Sequence, residues 1–188
     1  MAKQQTERMN ANRARFQELM EQAAGKRHGY RAFMEWLEET DFYEAPASTK
    51  YHGNVPGGLL QHSLNVHNRM WLSGNARKYI QKGGKECSVT IASLLHDICK
   101  VDTYRKTDNG YEYRNDIFLP VGHGERSIML VQQYMTLTQE ETVAIRWHMG
   151  AFDKAAQGGS RELSEAFRRF PLAPILHVAD MEAMYLDE

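Results

Sequence analysis

The sequence predicts an all-α domain of about seven helices carrying one small β-hairpin flap. Three observations predict it. Apolar residues return at spacings of three, four and seven along most of the chain. The period changes once, in VDTYRKTDNGYEYRND, which alternates loosely around Asp108-Asn109-Gly110. The chain has 188 residues, 42% of them apolar and 25% charged, which suits one domain of ordinary size with a real core.

The first helix is expected from about Thr6 to Ala24, where Met9, Phe16, Leu19, Met20 and Ala23 share a stripe and Gly25 is the stop. A second runs from about Tyr30 to Glu39 with Tyr30, Phe33, Met34 and Leu37 on one side. Phe42 to Gly58 holds two prolines and adjacent glycines, and reads as an irregular, exposed connection. The third helix begins near Gly58, with Leu60, Leu64, His67 and Trp71 on one side and Leu59, His62, Val66 and Met70 on the other. The fourth covers about Glu86 to Cys99, and its run VTIASLL predicts burial on most sides.

Helical spacing resumes after the hairpin, at about Gly124 to Met135. Thr138 and Glu141 then form a capping-box signature for a helix reaching about Met149. GAFDKAAQGGS reads as loop, Ser160 as the cap of a short helix ending before Pro171, and Leu172 to Tyr185 as the last helix. Residues 1–50 are expected to be a helical extension packed on a core formed by 51–188, within one structural domain.

The bulk numbers exclude several classes. A net charge of −1 advertises neither a nucleic acid nor a membrane surface as partner. Two cysteines, Cys87 and Cys99, form no C-x-x-C pair and no disulfide scaffold, which suits a reducing compartment. The opening MAKQQTERMNANRARF has no apolar signal core, and no stretch approaches the ~20 apolar residues of a membrane span. A soluble, cytoplasmic protein is the expectation.

Eight histidines are present, so the question is which of them converge. His96-Asp97 ends a buried-looking helix, where an unpaired carboxylate would cost several kcal/mol to desolvate. Asp97 should meet something positive: a metal, backbone N–H groups, Lys100 or Arg105. His62 lies on a stripe with Leu59, Val66 and Met70, and His123 sits between two glycines at a helix start. His148 shares a turn with Ala144 and Ile145, and Asp180 lies mid-helix in LHVADMEAM. Each alone reads equally as an ordinary core or surface residue. Together they place a histidine or an aspartate on several separate helical segments.

The order His, then His-Asp, then a distant Asp resembles the defining pattern of the HD-domain phosphohydrolases, here His62, His96, Asp97 and Asp180. The flanks GGLLQHSLNV, LLHDICK and ILHVADMEA match as well, and the resemblance spans about Tyr51 to Asp187. GGLLQHSL and WHMG look most like the HD domains of bacterial 3'-5' exoribonucleases and related small hydrolases. The chain shows no nucleic-acid-binding module such as an OB barrel. It also lacks the G-Y-P motif of cyclic-di-GMP phosphodiesterases, which argues against a cyclic dinucleotide.

The resemblance implies a mono- or dinuclear centre. His62, His96, Asp97 and Asp180 would hold one metal, His123 and His148 a second, with Asp97 bridging. Imidazole and carboxylate ligands suit Mn, Fe, Co or Ni, and without thiolates a structural Zn site is disfavoured. Two metals about 3.5–4 Å apart could activate a water and clamp an in-line phosphoryl displacement.

Lys100, one turn past the doublet, is either a solvated lysine favoured by the helix dipole or a phosphate-binding cation, and the resemblance favours the cation. Arg126 could bind phosphate at the start of the next helix. His177, three residues before Asp180, is the best decoy among the remaining histidines. His28, His52 and His67 have no partner pattern, although His52 lies near the first ligand on a loop. Tyr51 and Tyr111 could stack on a base or simply pack.

Two functional readings result. One is a phosphohydrolase, of monoesters or diesters, acting on a small nucleotide or short oligonucleotide. The other is a non-catalytic HD module that keeps metal and binds a nucleotide or a partner in regulation.

Overall fold

The computed structural model describes residues 2–49, 53–114 and 121–188, so Tyr51 and His52 lie outside the described residues. Among those residues the chain forms ten α-helices and one two-stranded antiparallel hairpin. The helices are α1 (Ala2–Ala24), α2 (Tyr30–Glu38), α3 (Gly58–Leu72), α4 (Asn75–Gln81), α5 (Glu86–Leu95), α6 (His123–Gln132), α7 (Gln139–Arg146), α8 (Lys154–Gln157), α9 (Glu162–Arg169) and α10 (Leu172–Glu182). The hairpin strands are β1 (Tyr104–Thr107) and β2 (Gly110–Tyr113), with Tyr104 opposite Tyr113 and Thr107 opposite Gly110. No described helix is long and apolar enough to cross a membrane.

The packing centres on α5. Every residue from Ser88 to Leu95 is buried, so beyond its first two residues this helix has no solvent face, and α1, α3 and α7 pack around it. The α10 helix then lies against α3 and α7. Phe16, Leu19 and Met20 of α1 and Phe33 and Leu37 of α2 join the same core as Leu60, Leu64, Ile91 and Leu95. Each such side chain contributes about 1.5–3 kcal/mol on full burial, so the first two helices are as much part of the hydrophobic interior as the rest.

A polar tie fastens the turn after α1 to α7 and α5. Arg27, in the turn after α1, donates to both carboxylate oxygens of Glu141 at 2.6 and 2.9 Å. The same carboxylate accepts from the Ser88 hydroxyl at 2.8 Å and from the Thr138 backbone N–H at 2.8 Å. The last of these belongs to the expected capping box, which is formed.

Several expectations need correction. Ten helices form among the described residues where about seven were expected, and α4 and α8 match no expected helix because they are too short to show a stripe: only Ala76 and Tyr79 of α4 are buried, and no residue of α8 is. The helix ahead of the doublet ends at Leu95, not Cys99, and the chain continues as a 3-10 turn at Ile98–Lys100. Ser93 donates back to the carbonyls of Val89 and Thr90, a bond that loosens a helix end. The α7 helix stops at Arg146, short of His148. The last regular helix ends at Glu182 and passes into a π turn over Ala183–Asp187.

The connection before α3 is irregular as expected, but it is not exposed throughout. Phe42 and Ala47 are fully buried, and the Phe42 ring lies 5.0 Å from that of Phe16. Two glycines position the site's elements. Gly57 caps α3 at φ 74°, a conformation that side chains rarely adopt. A Cβ on Gly124 would stand 2.3 Å from the Arg146 carbonyl oxygen, so only glycine lets α6 start against the end of α7.

Candidate metal centre

Four separate segments deliver polar side chains to one end of the bundle. His62 comes from the middle of α3, His96 and Asp97 from the broken end of α5, His148 from just beyond α7, and Asp180 from α10. His62 Nε2 lies 3.1 Å from Asp180 Oδ1 and 3.7 Å from Asp97 Oδ2. His96 Nε2 is 3.3 Å from His62 Nε2 and 3.7 Å from both carboxylates. The ligand atoms of His62, His96 and Asp180 all lie within 4.8 Å of one another and could hold a metal ion.

The backbone of the helix ends decides which nitrogens face inward. His96 Nδ1 bonds the Ser93 carbonyl at 2.8 Å, and His148 Nδ1 bonds the Ile145 carbonyl at 2.7 Å. His62 Nδ1 bonds Glu188 Oε1 at 3.0 Å. Carbonyl and carboxylate oxygens only accept, so each Nδ1 carries the proton and each neutral ring presents an Nε2 lone pair to the interior. Two such lone pairs, from His62 and His96, face each other at 3.3 Å. His148 Nε2 is fully buried with no hydrogen-bond partner, 3.6 Å from Asp97 Oδ1. That arrangement is repulsive until a cation or a proton enters it, and it fits the donor set of a divalent metal.

The electrostatics agree. The Asp97 carboxylate meets the Lys100 ammonium, whose Nζ stands 2.6 Å from Oδ2, while those of Asp180 and Glu188 meet the His62 imidazole. Burial opposes the charge on Asp97, yet Lys100 with His96 and His148 holds it well below the usual carboxylate range. Burial is likewise overcome at Asp180, held low by its bond to His62 and by the nearby imidazoles. Burial also resists a proton on His62, but the bonds to Asp180 and Glu188 outweigh this and raise it to about 9. His96, without such a bond, is pushed down by burial to about 4. With no metal bound, a proton on His62 therefore fills part of the role of a cation.

Lys100 is not the solvated lysine of the alternative reading. It is 9% exposed, and Asp97 holds it charged and above its usual range against the cost of burial. Arg105, the other cation weighed for Asp97, instead pairs with Glu112 across the hairpin at 2.5 Å.

His123 stands apart from the first group. It opens α6 with an exposed ring, and its Nδ1 lies 3.5 Å from Cys99 Sγ. Asp97, Cys99 and His123 form a second group whose ligand atoms lie within 4.8 Å of one another. Arg126, half-buried in the first turns of α6, acts through its charge on Cys99 and His123.

The decoys fall elsewhere. His177 Nδ1 bonds the His148 carbonyl at 2.7 Å and so supports that segment's backbone. His67 is buried and accepts from Trp71 Nε1 at 3.2 Å, His28 is exposed, and Tyr111 sits half-buried on β2 opposite Lys106.

Sequence reasoning missed two residues. Glu188 reaches His62 because Asn65 donates to its Oε1 at 3.0 Å and Arg69 grips Asp187 through both carboxylate oxygens. No local pattern signals that approach. Cys99 did carry a signal, its place two residues after Asp97 and one before Lys100.

Comparison with protein-family models, with curated proteins and with solved structures finds no match to this chain.

Proposed function

We propose that this chain is a metal-dependent phosphohydrolase of the HD superfamily, acting on the phosphoester of a nucleotide or short oligonucleotide. The observation that carries the reading is the convergence of the His62, His96 and His148 Nε2 lone pairs with the Asp97 and Asp180 carboxylates. These residues come from distant parts of the sequence, and the Lys100 ammonium is buried against one of them, Asp97. Divalent Mn, Fe, Co or Ni held there, as one ion or two, would supply Lewis-acid polarisation of a phosphoryl oxygen and a nucleophilic water at neutral pH.

The chain's own groups do the rest. Asp97 divides its oxygens, with Oδ2 toward His62, His96 and Lys100 and Oδ1 toward His148 and Cys99. That division would let Asp97 serve two metal positions. An ammonium has three N–H donors and Asp97 takes one at Lys100, so the other two can meet the charge that develops on phosphoryl oxygens. Arg126, half-buried in the first turns of α6, would bind a substrate phosphate. Glu188 orients His62 from behind, as second carboxylates do for metal-binding imidazoles.

Turnover of p-nitrophenyl phosphate and bis(p-nitrophenyl) phosphate by the full chain tests the reading and separates monoester from diester activity. Release of p-nitrophenol that depends on added Mn, Fe, Co or Ni is expected. A well-folded chain that takes up none of these metals and stays inactive ends the proposal. Metal-loaded protein that is silent on both substrates supports the regulatory module instead.

Glu188→Ala leaves every proposed ligand in place but frees the His62 ring. It is expected to weaken metal affinity about 10–100-fold in a chelator-competition titration, the usual effect of losing an outer-shell partner. Unchanged affinity would show that packing alone orients His62.

A further inference from the structure

We propose that Cys99 is a metal ligand, so that Asp97, Cys99 and His123 form a thiolate-containing site distinct in its chemistry from the imidazole–carboxylate group beside it. The inference rests on the metal-centre reading above and deepens it by separating the two positions.

Three observations carry it. The donor atoms have the spacing of a coordination sphere: Cys99 Sγ is 3.5 Å from His123 Nδ1 and 3.9 Å from Asp97 Oδ1. A tetrahedral ion with metal–sulfur and metal–nitrogen bonds of about 2.3 and 2.05 Å holds those two ligands about 3.5 Å apart. The site is also built, not incidental. Cys99 is 3% exposed, and its backbone N–H is pinned to the Ser127 hydroxyl of α6 at 3.2 Å, which fixes the thiol against the helix that carries His123. Finally, the buried His148 Nε2, which makes no hydrogen bond, approaches the same Asp97 Oδ1 from just beyond α7 at 3.6 Å. A further nitrogen donor is thus aimed at this side of the carboxylate.

The chemistry of the two groups then differs. His62, His96 and Asp180 offer nitrogen and oxygen, which suits Mn, Fe, Co or Ni. A thiolate is soft and favours Zn and other thiophilic ions. The absence of thiolates was the reason to disfavour Zn from the sequence, and Cys99 removes that reason at one position only. On binding, the Cys99 S–H bond breaks as the sulfur–metal bond forms, and the proton passes to solvent. No electron is transferred.

Cobalt(II) titration of the metal-stripped full chain tests the proposal, because a thiolate ligand gives an intense near-ultraviolet charge-transfer band that nitrogen and oxygen ligands do not. The wild type is expected to develop that band and to saturate it at one cobalt per chain. Cys99→Ser should lose the band while keeping the visible cobalt spectrum of the first group. Cys87→Ser should leave both unchanged.

X-ray absorption on the zinc-loaded wild type supplies a readout free of any variant's folding, with a zinc–sulfur shell expected near 2.3 Å. Cobalt that binds without the band, a band that survives Cys99→Ser, or zinc with no sulfur neighbour would each overturn the proposal. In those cases the thiol merely hydrogen-bonds to His123. A wild type that binds no cobalt at all fails differently: it removes the metal-centre reading along with this one.

Discussion

Asp97→Asn is expected to lose bound metal and turnover together, with kcat/KM falling by about 10³-fold or more. That is the scale of several kcal/mol of lost transition-state stabilisation. The two carboxylate oxygens face different partners, Oδ2 toward His62, His96 and Lys100 and Oδ1 toward His148 and Cys99. An amide replaces one oxygen by an NH2 group that can neither ligate nor accept. The variant also strands the buried Lys100 ammonium, and losing one partner of a buried ion pair costs about 3 kcal/mol.

The two effects separate in Asp97→Asn/Lys100→Met. The double variant is expected to regain most of the lost stability in a chemical-denaturation curve and none of the metal. Full metal content in Asp97→Asn would sink the site assignment. A double variant as unstable as the single one would sink the buried-ion account.

Arg27→Met is expected to destabilise the fold by about 3 kcal/mol without touching the candidate centre, lowering Tm by roughly 6–12 °C for a chain of this size. The Glu141 side chain is fully buried, so its charge survives only because Arg27, Ser88 and the Thr138 N–H satisfy it. Burial alone would raise its pKa, yet those bonds hold it below the usual value. A carboxylate whose pKa is depressed by folding contributes stability above its unfolded pKa, about 4.3, and loses it as pH falls through the folded value.

The wild type should therefore lose stability faster than Arg27→Met below about pH 4.3. The gap in Tm between them, measured on chelator-treated protein, should narrow as the solution is acidified. A gap that stays constant with pH would mean that the guanidinium acts through packing and not through the carboxylate.

The helical periodicity made α1, α2, α3, α5, α6, α7 and α10 readable, because each buries one stripe or all of its surface and the spacing of apolar residues records that burial. It could not reveal α4 and α8, which bury too little to leave a stripe. Helix ends were less legible for a different reason. The stops of α5 and α7 are made by bonds closed within the fold, such as His96 Nδ1 to the Ser93 carbonyl and His148 Nδ1 to the Ile145 carbonyl.

At the candidate centre, the resemblance carried by the order His, His-Asp, Asp and its flanks nominated His62, His96, Asp97, His123, His148 and Asp180, since side-chain chemistry and the order of motifs are written along the chain. Only the tertiary structure decided that Lys100 is buried against Asp97, that His123 stands beside Cys99 on the exposed edge, and that Glu188 backs His62. A sequence records which groups exist and how one helix spaces them. The distance between groups on different helices is set by how those helices pack, and that distance determines whether imidazoles and carboxylates can share a cation.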